Sequence, residues 1–155
     1  MDFLTISLFG HRQIDDLRLL EKRLEKAIRK IVSDDRYISF LIGRNGEFDE
    51  FAASVIKGYE SKFHSKNYDM SLVLPYSVAD IEYYEGYYDG VDIPSSIHAL
   101  HPKSAIEARN RWMIEHSDLV IVWVEKNCGG AYKAMKYAEK LGKQIINLCE
   151  QKDFI

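Results

Sequence analysis

Five short apolar runs, separated by stretches with helical periodicity, constrain this chain more than any other feature. The runs cover residues 3–9, 37–42, 71–74, 119–124 and 144–148. Each is continuous rather than alternating, as in strands covered on both faces. Between them, Leu17, Leu20, Leu24, Ile28 and Ile31 recur every three or four residues and share one helix face. Phe48, Phe51, Ala52, Val55, Ile56 and Tyr59 form a second such face, and Ala134, Tyr137, Ala138 and Leu141 a third. Ser104 and Glu107 make an S-x-x-E capping box ahead of a helix containing Trp112 and Met113. Gly142 is placed to cap the last helix. This order predicts right-handed βαβ crossovers in an α/β, Rossmann-like, doubly wound fold. Its sheet is five-stranded and mainly parallel, with helices on both faces. Residues 78–94 are rich in Tyr and Gly, lack a clear period and read as a long loop.

The 155 residues amount to about one domain of ordinary size. No repeat or Pro/Ser-rich linker divides them, so residues 1–155 are expected to form one unit. Cys128 and Cys149 are too few for a disulfide scaffold, and neither sits in a C-x-x-C pair. The N-terminus has no leader pattern, and no apolar run reaches the roughly 18 residues of a membrane span. A cytoplasmic protein with no membrane partner is expected. Lys plus Arg number 21 and Asp plus Glu 24, a net charge of −3. That balance argues against a nucleic-acid partner, which usually meets a strongly basic face. It leaves room for a local anion pocket. His98, His101 and Asp92 match no metal-ligand spacing, so neither metal nor cofactor is expected.

Ligands of doubly wound sheets bind outside the carboxyl ends of the strands. The residues following each run should therefore converge: Gly10-His11-Arg12, then Gly43-Arg44-Asn45-Gly46-Glu47-Phe48-Asp49, then Pro75-Tyr76, then 125–131 with Gly129-Gly130-Ala131. Glycine lets a backbone approach a phosphate closely, and the free N–H groups of a following helix then point at the anion. Arg12 and Arg44 lie at the same edge and can pair with phosphate or with nearby carboxylates. Arg109 lies in the half of its helix nearer that edge. Arg111, two residues on, must face elsewhere, toward Glu107, Glu115 or an interface. His11 is suited to a phosphate, to acid–base work or to packing. Glu47 and Asp49 suit a sugar, or in the case of Asp49 the cap of the second helix. Tyr83, Tyr84, Tyr87 and Tyr88 suit either a base or a subunit contact. Trp112 and Trp123 read as core residues.

Taken together, Gly10-His11-Arg12, Gly43-x-x-Gly46-x-Phe48-Asp49, Arg109-Asn110-Arg111, Ser117-Asp118 and Gly129-Gly130 with Ala138 resemble the SLOG superfamily. That superfamily unites the SMF/DprA proteins with the LOG nucleotide hydrolases. The similarity covers nearly the whole chain and is closest to small bacterial members with a G-H-R turn. It implies a Rossmann-like fold binding a nucleotide or nucleotide-derived ligand at the glycine turns. The hydrolase branch carries P-G-G-x-G-T-x-x-E. Here Cys128 stands for the proline, Tyr132 for the later glycine, Lys133 for the threonine and Lys136 for the catalytic glutamate. Ala131 stands where the G-H-R branch often has threonine.

The resulting expectation is a nucleotide-binding or sensing module, dimeric as is common among such proteins. The alternative is an enzyme acting at a nucleotide N-glycosidic bond, with Glu47, Asp49 and His11 as its catalytic groups. A DNA-associated role of the SMF/DprA kind ranks third, on the acidic charge balance.

Overall fold

A computed structural model describes residues 2–33, 35–63, 67–97 and 100–150. In chain order the elements are β1 (Asp2–Gly10), α1 (Leu17–Ile31), β2 (Arg36–Ile42), α2 (Glu47–Phe63), β3 (Tyr68–Val73), α3 (Ile81–Tyr87), β4 (Gly90–Asp92), α4 (Pro102–Glu115), β5 (Leu119–Trp123), α5 (Gly130–Lys140) and β6 (Gln144–Asn147). The strands form one sheet in the order β4-β3-β2-β1-β5-β6, and every neighbouring pair is parallel. This is the expected doubly wound architecture with one strand more.

The sixth strand lies in the segment read as a loop. β4 is three residues long and sits at the sheet edge, so it carries no period to detect. It is held by Asp89, whose carboxylate accepts from Met70 N at 2.8 Å while its own N–H donates to the Met70 carbonyl at 2.9 Å. The tyrosines before it form α3. Tyr84 and Tyr87 pack against the core beside the buried Tyr88, whereas Tyr83 stays largely exposed.

Period-two burial sends each strand to two cores. Ile6 and Leu8 of β1, Phe40 and Ile42 of β2 and Ile121 and Trp123 of β5 face α1 and α2, where they meet Leu20, Leu24, Ile28, Phe48 and Ile56. Phe9, Leu41, Val73, Val120 and Val122 face the other way, against Met113 and Ile114 of α4 and Ala131, Ala134 and Ala138 of α5. Each fully buried aliphatic or aromatic side chain contributes about 2 kcal/mol of transfer free energy. The small alanines let α5 approach the sheet closely.

Two buried serines interrupt the second core and explain the Ser117-Asp118 pair. Ser7 Oγ and Ser117 Oγ are hydrogen-bonded to each other at 2.5 Å, and both lie within hydrogen-bond distance of the Met113 carbonyl, at 3.0 and 2.6 Å. Asp118 exchanges hydrogen bonds with Thr5, through its own N–H to the Thr5 carbonyl and through its carboxylate from Thr5 N. The end of α4 is thereby locked to β1, and the buried hydroxyls are satisfied.

The helix ends follow local chemistry. Asp16 caps α1 by accepting from Leu19 N at 3.0 Å. The box expected at Ser104 and Glu107 falls inside α4. That helix begins earlier, at Pro102, with His101 Nδ1 accepting from Lys103 N, because proline is favoured at the first helical position. Glu107 pairs instead with Arg111, one turn on. α5 ends as expected at Gly142, which takes φ +71°. Its N–H donates to Glu139 O, and Lys143 N donates to Ala138 O, the paired bonds of a Schellman motif.

Candidate functional site

The chain runs outward through β2, β3 and β4, then crosses back to β5 on the far side of β1. The direction of winding therefore reverses between β1 and β5, the place where doubly wound sheets open a crevice. A cavity of about 180 Å³ lies there. It is lined by Phe9, Gly10, His11 and Arg12 after β1, Asn45 and Asp49 at the start of α2, Ile106, Arg109 and Asn110 of α4, and Gly129, Gly130 and Ala131 at the start of α5.

The structure thus brings together nine of the residues singled out from sequence: Gly10, His11, Arg12, Asn45, Asp49, Arg109, Gly129, Gly130 and Ala131. Gly43, Arg44, Gly46, Glu47, Pro75 and Tyr76 do not line the cavity. Glu47 is exposed and borders a shallow outer groove with Leu17, Glu50, Phe51 and Ser54. Arg44 extends over the Tyr84 ring, 5.6 Å from its centre. Pro75 is buried and Tyr76 exposed at the same sheet edge. Phe9, Ile106 and Asn110 line the cavity without having been singled out. Asn110 sits within the Arg109-Asn110-Arg111 motif, which was the available signal. Phe9 and Ile106 look like ordinary core residues in sequence.

The glycines after β1 and β2 are required by protein neighbours. A Cβ on Gly10 would stand 2.1 Å from Cγ of the fully buried Phe48. A Cβ on Gly46 would stand 2.6 Å from the Arg12 Cα, at the point where Glu47 N donates to the Arg12 carbonyl. The close approach anticipated for a ligand is here an approach of chain to chain. Gly129 differs. It takes φ +92° at the N-cap of α5, and nothing lies within 4 Å of a Cβ placed on it or on Gly130. This turn is open, and the first N–H groups of α5 are available at the cavity wall.

Arg109 forms the cavity floor. It is 3% exposed, yet a cation. Its Nη1 donates to the Val73 carbonyl at 2.9 Å and its Nε to Asn110 Oδ1 at 2.9 Å. Nη2 has no hydrogen-bond acceptor among the described residues. Burial lowers the pKa of the guanidinium from its ordinary value, and the Asp49 charge opposes that shift. Arg111, as expected from the helical period, faces away. It pairs with Glu107 at 3.2 Å and lies over the Tyr137 ring.

Asp49 sits in the first turn of α2 and reaches back past the N-cap to accept from Asn45 N at 2.9 Å. Burial pushes its carboxyl up to about 6, against the Asn45 N–H and the Arg109 charge, which both hold it down. His11 is engaged with the loop after β5. Its Nε2 accepts from Glu125 N at 3.0 Å and Lys126 N at 3.1 Å. The ring is therefore neutral and protonated at Nδ1. Burial lowers its pKa, Lys126 adds to the shift and Glu125 opposes it.

Of the residues weighed for a metal, His98 lies outside the described residues. Among the described residues no three His, Cys, Asp or Glu side chains gather around a common point. Among the same residues no helix is long and apolar enough to cross a membrane.

No family model and no curated protein matches the chain. Solved structures do. One is DNA processing protein A from Helicobacter pylori, described for its single-stranded DNA binding mode, at a TM-score of 0.62 and 17% identity over 92% of this chain and 63% of that one. Another is DNA processing protein A (DprA) from Streptococcus pneumoniae, at a TM-score of 0.64 and 16% identity over 92% of this chain and 49% of that one. The chain thus spans less than two thirds of either relative. At these identities the likeness shows a shared fold.

These neighbours correct the expectation set against a nucleic-acid partner. That expectation rested on a net charge of −3, and the same fold serves a single-stranded DNA binder. Net charge sums over the whole surface, whereas a phosphate contact depends on the few charges beside it.

Proposed function

We propose that the crevice holds the phosphate of a nucleotide unit and that the unit belongs to a single-stranded nucleic acid, DNA in the first instance. The observation that carries this reading is the buried Arg109. Its guanidinium is fixed by Val73 O and Asn110 Oδ1, with Nη2 unpaired beside the open first turn of α5. A phosphate oxygen there accepts from Nη2 and from the α5 N–H groups together, while the exposed Arg12 meets it at the rim. The description of one fold neighbour as a single-stranded DNA binder supports a strand over a free ligand.

The second reading is a free nucleotide, favoured by the small volume of the cavity. In that case Asp49 faces the ribose hydroxyls. N-glycosidic hydrolysis would leave Asp49 as the lone carboxylate on the cavity wall, since Glu47 points elsewhere.

Fluorescence anisotropy with labelled dT3 and dT20 tests the proposal, with AMP as competitor. Arg109→Gln is expected to weaken both oligonucleotides at least tenfold. Unchanged affinity in that variant would overturn the crevice as the site. Displacement of both oligonucleotides by micromolar AMP would favour the second reading.

A further inference from the structure

Beside the crevice, α4 and α5 enclose a second and larger groove, of about 550 Å³. Its walls carry Lys103 and Arg111 from α4 and Lys133, Lys136 and Lys140 from α5, with Glu107 as the one carboxylate among the lining residues. Five cations along one groove are conspicuous in a protein of net charge −3. Arg111 is paired with Glu107 and Lys136 with Glu139, both pairs exposed and therefore weak. Lys103, Lys133 and Lys140 are exposed, and no acidic partner is recorded for them among the described residues.

The groove is continuous with the crevice, since Ile106, Asn110 and Gly130 line both. Two tyrosines stand in it. Tyr132 is half-buried near Lys136, and Tyr137 is fixed by a 2.6 Å hydrogen bond from its hydroxyl to Glu115. Its floor is apolar, built from Ile106, Ile114 and Ala134.

The geometry points to this groove as a track for a phosphodiester strand that leaves the crevice and runs along α5. The inference rests on the reading of the crevice given above. Cations spaced along a channel with aromatic faces between them are what a single strand requires, because phosphates supply the affinity and any base can stack on a ring. α5 has 11 residues, so the track is about 16 Å long, enough for several nucleotides. A second copy of the chain fits less well, since two such faces would oppose like charges.

The test compares dT3 and dT20 on the wild type, on Arg109→Gln and on the triple variant Lys103→Gln/Lys136→Gln/Lys140→Gln. All three lysines are exposed and outside the crevice, and an unchanged thermal midpoint confirms folding. The triple variant is expected to bind dT20 at least tenfold more weakly at 0.1 M salt and to weaken dT3, which reaches only the start of the track, far less. The slope of log affinity against log salt should fall by about 2 in magnitude, near 0.7 per lysine lost. If dT20 binds the triple variant as well as the wild type while Arg109→Gln weakens both oligonucleotides, the track is overturned and the crevice stands. If neither oligonucleotide binds the wild type, the crevice reading fails and the track with it. A wild-type dimer that the triple variant dissociates, with dT20 affinity unchanged, would overturn the track in favour of contact between copies.

Discussion

Arg109 passes directly over Gly43. A Cβ on Gly43 would stand 2.9 Å from Arg109 Nη1 and 3.1 Å from Asp49 Oδ2. The glycine that ends the β2 run is thus the gap through which a guanidinium from α4 reaches the carbonyl of Val73 at the end of β3. Gly43 supports the site without lining it, and the three residues form one unit.

Gly43→Ala should therefore behave as a mild form of Arg109→Gln. The added methyl displaces the guanidinium, so oligonucleotide affinity is expected to fall severalfold. Stability should fall by about 1–3 kcal/mol as the overpacked site adjusts. Urea titration and anisotropy on the same sample check both effects. Wild-type affinity in Gly43→Ala would show that Arg109 does not bind the anion.

Asp49 makes the site pH-dependent. Its folded pKa, about 6, lies above the unfolded carboxylate value. The folded state therefore holds this proton more tightly. The contribution to stability is complete below about pH 4 and disappears as pH rises through about 6. Protonation also removes the negative charge facing Arg109. Anion affinity is expected to rise as pH falls from 8 to 5, with a midpoint near 6. Asp49→Asn should bind at pH 8 as the wild type does at pH 5. A pH-independent affinity in the wild type would refute this coupling.

His11 works in the opposite direction. Its pKa is lowered on folding, so the stability it confers is present above the unfolded value of about 6.5 and is lost as pH falls below it. Protonated Nε2 can no longer accept from Glu125 N and Lys126 N. Hydrogen exchange of these two amides should accelerate in His11→Ala, and in the wild type on acidification. Equal protection in variant and wild type would show that other groups hold the loop.

Gly10 and Phe48 are coupled sterically. Gly10→Ala is expected to destabilise by about 3 kcal/mol or more, because its methyl would occupy the position of a buried ring. Phe48→Val should relieve part of that cost, so the double variant is more stable than the sum of the singles. Simple additivity in denaturant midpoints would exclude the contact.

Long periodic elements were legible because their pattern is one-dimensional. The five apolar runs became β1, β2, β3, β5 and β6, and the periodic faces became α1, α2 and α5. β4 escaped because three edge residues carry no period. The start of α4 was misplaced because Pro102 and His101 compete locally with the Ser104 box. The candidate site divided along the same line. Residues directly after β1 and β5 converge, since strand order places them. Glu47 and Asp49 were both candidates for a sugar, with Asp49 also a candidate cap, and the 100° step of a helix turns Glu47 outward and Asp49 to the cavity wall.

Apolar periodicity alone thus defines an alternating α/β chain whose strand ends must meet at one edge. It carries no information on which glycines face a ligand and which face Phe48 or Arg12. Nor does a count of 21 basic and 24 acidic residues reveal that Arg109 is buried in the crevice or that five cations border one groove. Charge and close approach act through space over a few ångströms, and those distances arise only when residues far apart in the chain, such as Gly43 and Arg109, are folded against each other.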